Sequence, residues 1–211
     1  MKNKNKIANV CIVAGIICIF AALALAILNE YENKAAYQGS QRILDILSST
    51  NGIQSDGVND EYSEAGDSGT TATNVSGMYE MPTREIEGNE YIGYVSFNDT
   101  CLPVMSDWDY TKLKLAPCRY SGSLKEHNLV IAGHNYRDGF RALKNLKTGD
   151  LVYFNALNGK IYQYEVDTLE VLEPTEIEAM TDSQWDLSLY TCTYEGKLRF
   201  TVRCRELKVF E

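Results

Sequence analysis

Histidine is scarce in this 211-residue chain, which carries two, His127 and His134. General acid–base chemistry near neutral pH therefore has few candidates, and each deserves weighing. Positive charge is also in short supply, with 20 Lys+Arg against 29 Asp+Glu and a net charge of -9. A nucleic-acid binder needs a basic footprint to displace counterions from phosphates, so that class is excluded. Six cysteines are too few for a disulfide-built scaffold. No two are spaced C-x-x-C, which leaves little support for a zinc or redox-dithiol site. No internal repeat is present. What remains is ordinary on average, 45% apolar and 23% charged, as in a globular protein. The average conceals a strongly uneven chain.

Residues 1–6 carry three lysines, and residues 7–28 carry no charge. As a helix the 7–28 run is about 33 Å long, enough to cross a hydrocarbon core of about 30 Å. A secretory signal has a shorter apolar region followed by a small-residue cleavage site. The Ala-Leu-Ala pairs at Ala22 to Ala26 resemble such a site but lie inside the run. The reading is an uncleaved signal-anchor at 7–28 with a cytoplasmic tail at 1–6. The lysines before it and Glu30 and Glu32 after it put the N-terminus in the cytoplasm and the remainder outside, at the cell membrane. Residues 29–47 show apolar spacing of three and four (Tyr31, Ala35, Ile43, Ile46, Leu47), which predicts a juxtamembrane helix interrupted at Gly39. Residues 48–77 hold five acids, no Lys or Arg and one aromatic, and read as a polar acidic linker.

Residues 78–211 form the domain proper. Its apolar runs are short and bounded by turn residues: 91–97, 102–105, 128–133, 151–155, 161–172, 187–192 and 198–209. Asn158-Gly159 is a hairpin signal between two of them. Seven or eight short strands with little helix predict a mainly β fold, a closed or nearly closed barrel.

His134 follows Leu129-Val130-Ile131-Ala132-Gly133 and so stands at a strand end, behind a glycine that permits close approach of a neighbour. A surface histidine opening a loop fits the same position. His127, among Lys125, Glu126 and Asn128, reads as solvated. Cys11 and Cys18 fall in the apolar run as small apolar residues. Of the other four, Cys192 ends a strand before the turn Thr193 to Gly196, where a nucleophile has access, and Cys204 has the position of a core thiol. Disulfide pairing is the plain alternative for all four, with Cys101 and Cys118 the best-placed pair. Arg199, Thr201 and Arg203 share one strand face. A histidine, a cysteine and an arginine at one mouth of a barrel suit acyl transfer. Thiolate attacks a carbonyl, imidazole moves the proton and guanidinium donates to the developing oxyanion.

At these residues the sequence resembles the sortases, membrane-anchored cysteine transpeptidases. Ser188-Leu189-Tyr190-Thr191-Cys192 is similar to the family's Thr-Leu-x-Thr-Cys, with serine in first place. Arg199-Phe200-Thr201-Val202 resembles its arginine-led last strand, and Val130-Ile131-Ala132-Gly133-His134 its histidine segment. Lys147-Thr148-Gly149-Asp150 resembles the family's turn into a strand. The ordered set covers roughly residues 91–207. It implies an eight-stranded sortase-like β-barrel with short helices behind a single transmembrane helix, and catalytic Cys192, His134 and Arg199. It also implies Thr191 lining the substrate groove, and favours Arg199 over its strand-mate Arg203. The implied partners are secreted proteins with a C-terminal sorting signal similar to Leu-Pro-x-Thr-Gly, and an amine on peptidoglycan precursor or a pilin. A hydrolytic cysteine peptidase acting on wall peptides and a non-catalytic binding barrel are the alternatives. Pro103-Val104-Met105 with Asp109-Tyr110 resembles class B members, whereas the short connection 174–186 does not. No cofactor or metal is implied. Glu173, Glu176 and Glu178 resemble the calcium site of some class A members, yet an acidic exposed loop is the simpler reading and calcium is not assigned.

Overall fold

The computed structural model describes residues 2–50, 81–182, 184–193 and 196–211. Helix α1 (Lys2–Thr50) is unbroken, so the apolar run and the juxtamembrane stretch form one rod of 49 residues and Gly39 does not interrupt it. At 1.5 Å per residue the rod is about 70 Å long. The linker read at 48–77 lies outside the described residues except for its first three, which continue α1.

The described residues then form nine strands: β1 (Arg84–Ile86), β2 (Asn89–Phe97), β3 (Thr100–Met105), β4 (Cys118–Ser121), β5 (Leu129–Gly133), β6 (Leu151–Ala156), β7 (Ile161–Leu172), β8 (Leu187–Cys192) and β9 (Arg199–Phe210). A short helix α2 (Ile177–Met180) precedes β8. The order across the sheet is β1-β2-β3-β4-β5-β8-β9-β7-β6, and β2 also pairs with β6. The count is nine where the apolar runs predict seven or eight and the resemblance implies eight. β1 has three residues and β4 reads Cys-Arg-Tyr-Ser, both too short or too mixed to show a period-2 pattern. The Asn158-Gly159 hairpin joins β6 to β7, with Gly159 at φ 83° and the Ala156 N–H donating to Lys160 O at 2.9 Å.

Inward-facing residues interlock as one core, with Val95, Val152, Phe154, Val166, Leu189 and Val202 fully buried. Burial of such side chains contributes about 1.5–3 kcal/mol each. Gly93, at φ 146°, sits where β2 crosses β6, and a Cβ there would lie 2.1 Å from Asn155 O. Only glycine fits that approach.

α1 docks on this domain through Asn33, Ala36, Ser40, Ile43 and Leu47, a stripe at intervals of three and four. Ile43 and Leu47 pack with Ile86, Tyr91, Met105, Ala116 and Cys118. Tyr31 and Ile46, members of the apolar spacing that predicts this helix, are exposed. The true face is rotated because its upper half meets loop backbone and needs polar partners. Asn33 Oδ1 accepts the Arg137 N–H at 3.3 Å, and Ser40 Oγ donates to Leu115 O at 3.4 Å. Arg137 also pairs with Glu30 at 3.0 Å. Because Leu47 is wholly buried, Leu47→Ala is expected to weaken docking by about 2–5 kcal/mol. Faster amide hydrogen exchange across residues 29–47 would register it, and unchanged exchange would show that the apolar contacts do not hold the helix.

Candidate active site

β5 and β8 are parallel neighbours, paired Leu129 with Leu187 through Gly133 with Thr191. The next residue on each strand is therefore His134 on one and Cys192 on the other, leaving adjacent strand ends side by side at a strand spacing of about 4.8 Å. β8 and β9 are antiparallel, and Cys192 pairs directly with Arg199. His134, distant in sequence, thus meets Cys192 and Arg199, the two ends of one tight connection, across three hydrogen-bonded strands. All three are half-buried, which leaves them reachable from solvent.

Gly133 carries the close approach expected of it. A Cβ there would lie 2.3 Å from the Phe140 ring, so the glycine lets that buried ring pack beneath the histidine. His134 stacks on Tyr136 with ring centroids 5.1 Å apart. Arg199 Nη1 donates to Gly196 O at 3.2 Å and Leu198 O at 3.3 Å, so the turn before β9 orients the guanidinium.

Thr191 does not line this cleft. It is 1% exposed on the core side of β8, opposite to the face that bears Cys192. The strand alternation that exposes Cys192 turns its neighbour inward. Arg203 shares a strand face with Arg199 yet is also 1% exposed. Its Nε pairs with Glu170 at 2.6 Å, and Nη1 donates to Ser188 Oγ at 2.8 Å and Met180 O at 3.0 Å, while Nη2 donates to Ala179 O. Every arm of this guanidinium is committed, to Glu170 of β7, Ser188 of β8 and two carbonyls of α2, so that it ties α2 to the sheet. Arg199 is the arginine left open to the cleft.

The four outer cysteines are free thiols, and Cys101 and Cys118 are not bridged. Cys118 and Cys204 are buried, and burial pushes the Cys118 thiol up to about 12 and raises Cys204 as well. Both are protonated and inert at neutral pH. Cys192 is the accessible one beside a histidine. His127 sits elsewhere, its Nδ1 3.5 Å from Glu206 and 3.9 Å from Asp186.

The cleft against Cys192 encloses about 200 Å³. One wall is a run of rings that the motifs do not single out. Trp108 contacts Tyr110 (5.5 Å) and Tyr120 (5.3 Å), and Tyr120 contacts Tyr190 (5.5 Å), two residues before Cys192. The clustering of Trp108, Tyr110 and Tyr120 within the 106–120 segment is the signal that could have found it. Ile177 and Met180 of α2 form the opposite wall with Glu173 and Glu176. The Glu176 carboxylate accepts the Glu173 N–H at 2.6 Å, a local turn contact. Among the described residues, no three His, Cys, Asp or Glu side chains are grouped to hold a metal ion.

Partial burial holds the His134 imidazole below its ordinary value of about 6.5. Lys114 pushes the same way, and Glu32 of α1 opposes both. A lowered folded-state value makes protonation unfavourable to the native state. This contribution to stability is therefore level above pH 6.5 and is lost as pH falls from there through the folded-state value. With two histidines in the chain, NMR titration is simple to assign using His134→Gln. Glu32→Gln is expected to lower the His134 midpoint further and Lys114→Gln to raise it. A wild-type midpoint above 6.5 would contradict this electrostatic picture.

A Sortase domain model matches residues 96–207, more than half of the chain. Among solved structures, sortase C1 from Streptococcus suis is 28% identical with a TM-score of 0.51, over 56% of this chain and 73% of that one. Sortase C from Clostridium perfringens, solved with the C-terminal cell wall sorting motif, is 24% identical with a TM-score of 0.50, over 56% and 71%. Sortase A from Corynebacterium diphtheriae is 24% identical with a TM-score of 0.49, over 57% of this chain and 62% of that chain's length. No curated protein sequence matches the chain.

Proposed function

Because this chain belongs to the sortase family, with the domain match covering residues 96–207, we propose that it is a membrane-anchored cysteine transpeptidase that uses Cys192, His134 and Arg199. The observation that carries this reading is the register that sets Gly133 against Thr191 and Cys192 against Arg199. It brings nucleophile, acid–base group and cation to one cleft mouth. His134 takes the thiol proton as the Cys192 sulfur attacks a backbone carbonyl of a sorting signal, and Arg199 donates to the oxygen on which charge develops. The C–N bond then breaks, His134 gives its proton to the leaving amine, and the acyl group remains as a thioester. An incoming amine gives a proton to His134 as it attacks, forming a new peptide bond and releasing the Cys192 thiol. The acyl donor is a secreted protein with a signal similar to Leu-Pro-x-Thr-Gly. The acceptor is an amine on peptidoglycan precursor or a pilin.

In this reading the strand pairings that return from β6 to β2 make an eight-stranded barrel with β1 appended. The apolar part of α1 spans the cell membrane with the N-terminus cytoplasmic and the domain outside. Intact-mass analysis of the full chain in detergent micelles, incubated with a sorting-peptide library, is expected to show an acyl adduct on Cys192. Added triglycine is expected to convert it to amine-extended product. Acid product alone would identify a hydrolase, and no adduct with any peptide would remove the enzymatic reading.

A further inference from the structure

Between β5 and the short helical segment at 140–145 the chain runs as a loop, residues 134–139. The polar half of the α1 stripe is directed at this loop rather than at the sheet. Asn33 is 4% exposed. Its Nδ2 donates to Asn29 O, one turn back in the helix, at 2.8 Å, which fixes the side chain. Oδ1 is thereby aimed at the Arg137 N–H, 3.3 Å away and 104 residues on in the chain. A buried amide inside a helix serves neither helix propensity nor apolar packing, so its use lies in the group it meets. The Glu30–Arg137 ion pair spans the same junction but is exposed and screened, and adds little.

The loop that Asn33 holds is the one that carries the acid–base group. Arg137 directly follows Tyr136, and the Tyr136 ring is the one on which the His134 imidazole stacks. The Tyr136 N–H also donates to His134 O at 2.8 Å, which ties the two residues together. The gap between helix and loop is lined by Asn33, Ala36 and Ser40 on one side and by His134, Tyr136 and Phe140 on the other. The same turn of α1 brings Glu32 near enough to favour the protonated imidazole. β5 fixes the backbone where His134 leaves the sheet, but the ring can still rotate about its side-chain bonds. Tyr136 limits that rotation, and α1 limits Tyr136. An acid–base group acts only within hydrogen-bond reach of the proton it moves, and a displacement of about 1 Å can cost roughly a hundredfold in rate.

We infer that Asn33 of α1 is a positioning residue for His134: its side-chain oxygen holds the Arg137 N–H, which fixes Tyr136, and Tyr136 fixes the imidazole. The inference rests on the transpeptidase reading for its effect on rate. The docked part of α1 is then more than a stalk, since it sets the geometry of the group that moves the proton. Neither Asn33 nor Tyr136 lines the aromatic cleft against Cys192, so donor binding is left out of this chain of contacts.

The test uses the full chain in detergent micelles, with a cleaved sorting peptide as donor. Asn33→Leu keeps the shape of the side chain and removes its acceptor, whereas Asn33→Asp keeps an acceptor. Asn33→Leu is expected to slow acyl-enzyme formation by about tenfold at saturating donor with donor KM unchanged, and Asn33→Asp to recover most of that rate. Tyr136→Leu is expected to slow it at least as much, and the double variant to be no slower than Tyr136→Leu alone, because the two act through one chain of contacts. In NMR spectra of histidine-labelled protein, the His134 ring resonance of Asn33→Leu is expected to move from the wild-type position toward that of Tyr136→Leu. An unchanged rate or an unmoved resonance in Asn33→Leu would overturn the assignment. So would a loss that Asn33→Asp does not recover, or rate losses that multiply in the double variant. Absence of a wild-type acyl-enzyme with any donor would instead sink the transpeptidase reading, while the resonance, which needs no donor, would still decide whether α1 holds the ring.

Discussion

Cys192→Ala is expected to eliminate acyl-enzyme formation and to lower peptide cleavage by at least about 10^4-fold, the scale on which removal of a catalytic nucleophile acts. The size follows from chemistry with no substitute at hand. The other free thiols in the domain are Cys101, Cys118 and Cys204. Cys118 and Cys204 are buried and protonated, and burial also raises Cys101. The cleft and the Arg199 guanidinium survive the substitution, so the variant should still bind donor peptide. Equilibrium binding by fluorescence, using the Trp108 and tyrosine wall as reporter, together with mass spectrometry for the adduct, checks both halves. A Cys192→Ala protein that still cleaved would place the nucleophile elsewhere.

Arg203→Ala is expected to be the most damaging substitution for stability, at about 3 kcal/mol, because it leaves the Ser188 hydroxyl and two carbonyls short of a donor at about 1–3 kcal/mol each, besides an ion pair whose Glu170 end is partly exposed. The loss reaches past the ion pair. Glu170 loses its partner, Ser188 and the carbonyls of Met180 and Ala179 lose donors, and Met180 packs with Val130 and Leu172 just there. Freed from this clasp, α2 no longer holds Ile177 against the cleft. Urea denaturation of the full chain gives the stability change. Donor KM is expected to rise while iodoacetamide still alkylates Cys192, since the β8–β9 pairing remains. Arg203→Lys is not a rescue, because one ammonium cannot serve four partners in the plane of a fork. A denaturation midpoint equal to wild type would show that α2 is held by something else.

Much of the candidate site is legible in the amino-acid sequence because its signals are local. A five-residue apolar strand ending in Gly-His, and a strand ending in Cys before a turn, place chemistry at strand ends, where rigid backbone meets solvent. The long strands β7 and β9 are legible in the same way. β4 is not, since four residues with a partly exposed arginine carry no period. The motif around Thr191 suggests a groove-lining residue, and strand alternation turns it into the core. Arg203 shares a face with Arg199, and nothing in the residues of β9 tells which of the two is covered, because the cover comes from α2 through the chain reversal at 173–186.

The scarcity of histidine therefore has a sharper meaning than composition shows: of two imidazoles, one lies beside the accessible cysteine. The sequence alone determined the apolar span, the strand-rich domain, the negative charge that excludes nucleic acid, and the residue types able to perform acyl transfer. Those properties depend on periodicity and chemistry along the chain. Tertiary structure alone decided that Gly133 meets Thr191, that Cys192 faces Arg199, that Arg203 is buried, and that the end of α1 packs on the domain. Each depends on strand register or on packing between segments far apart in sequence. Such contacts are selected by the free energy of the whole core rather than by local pattern.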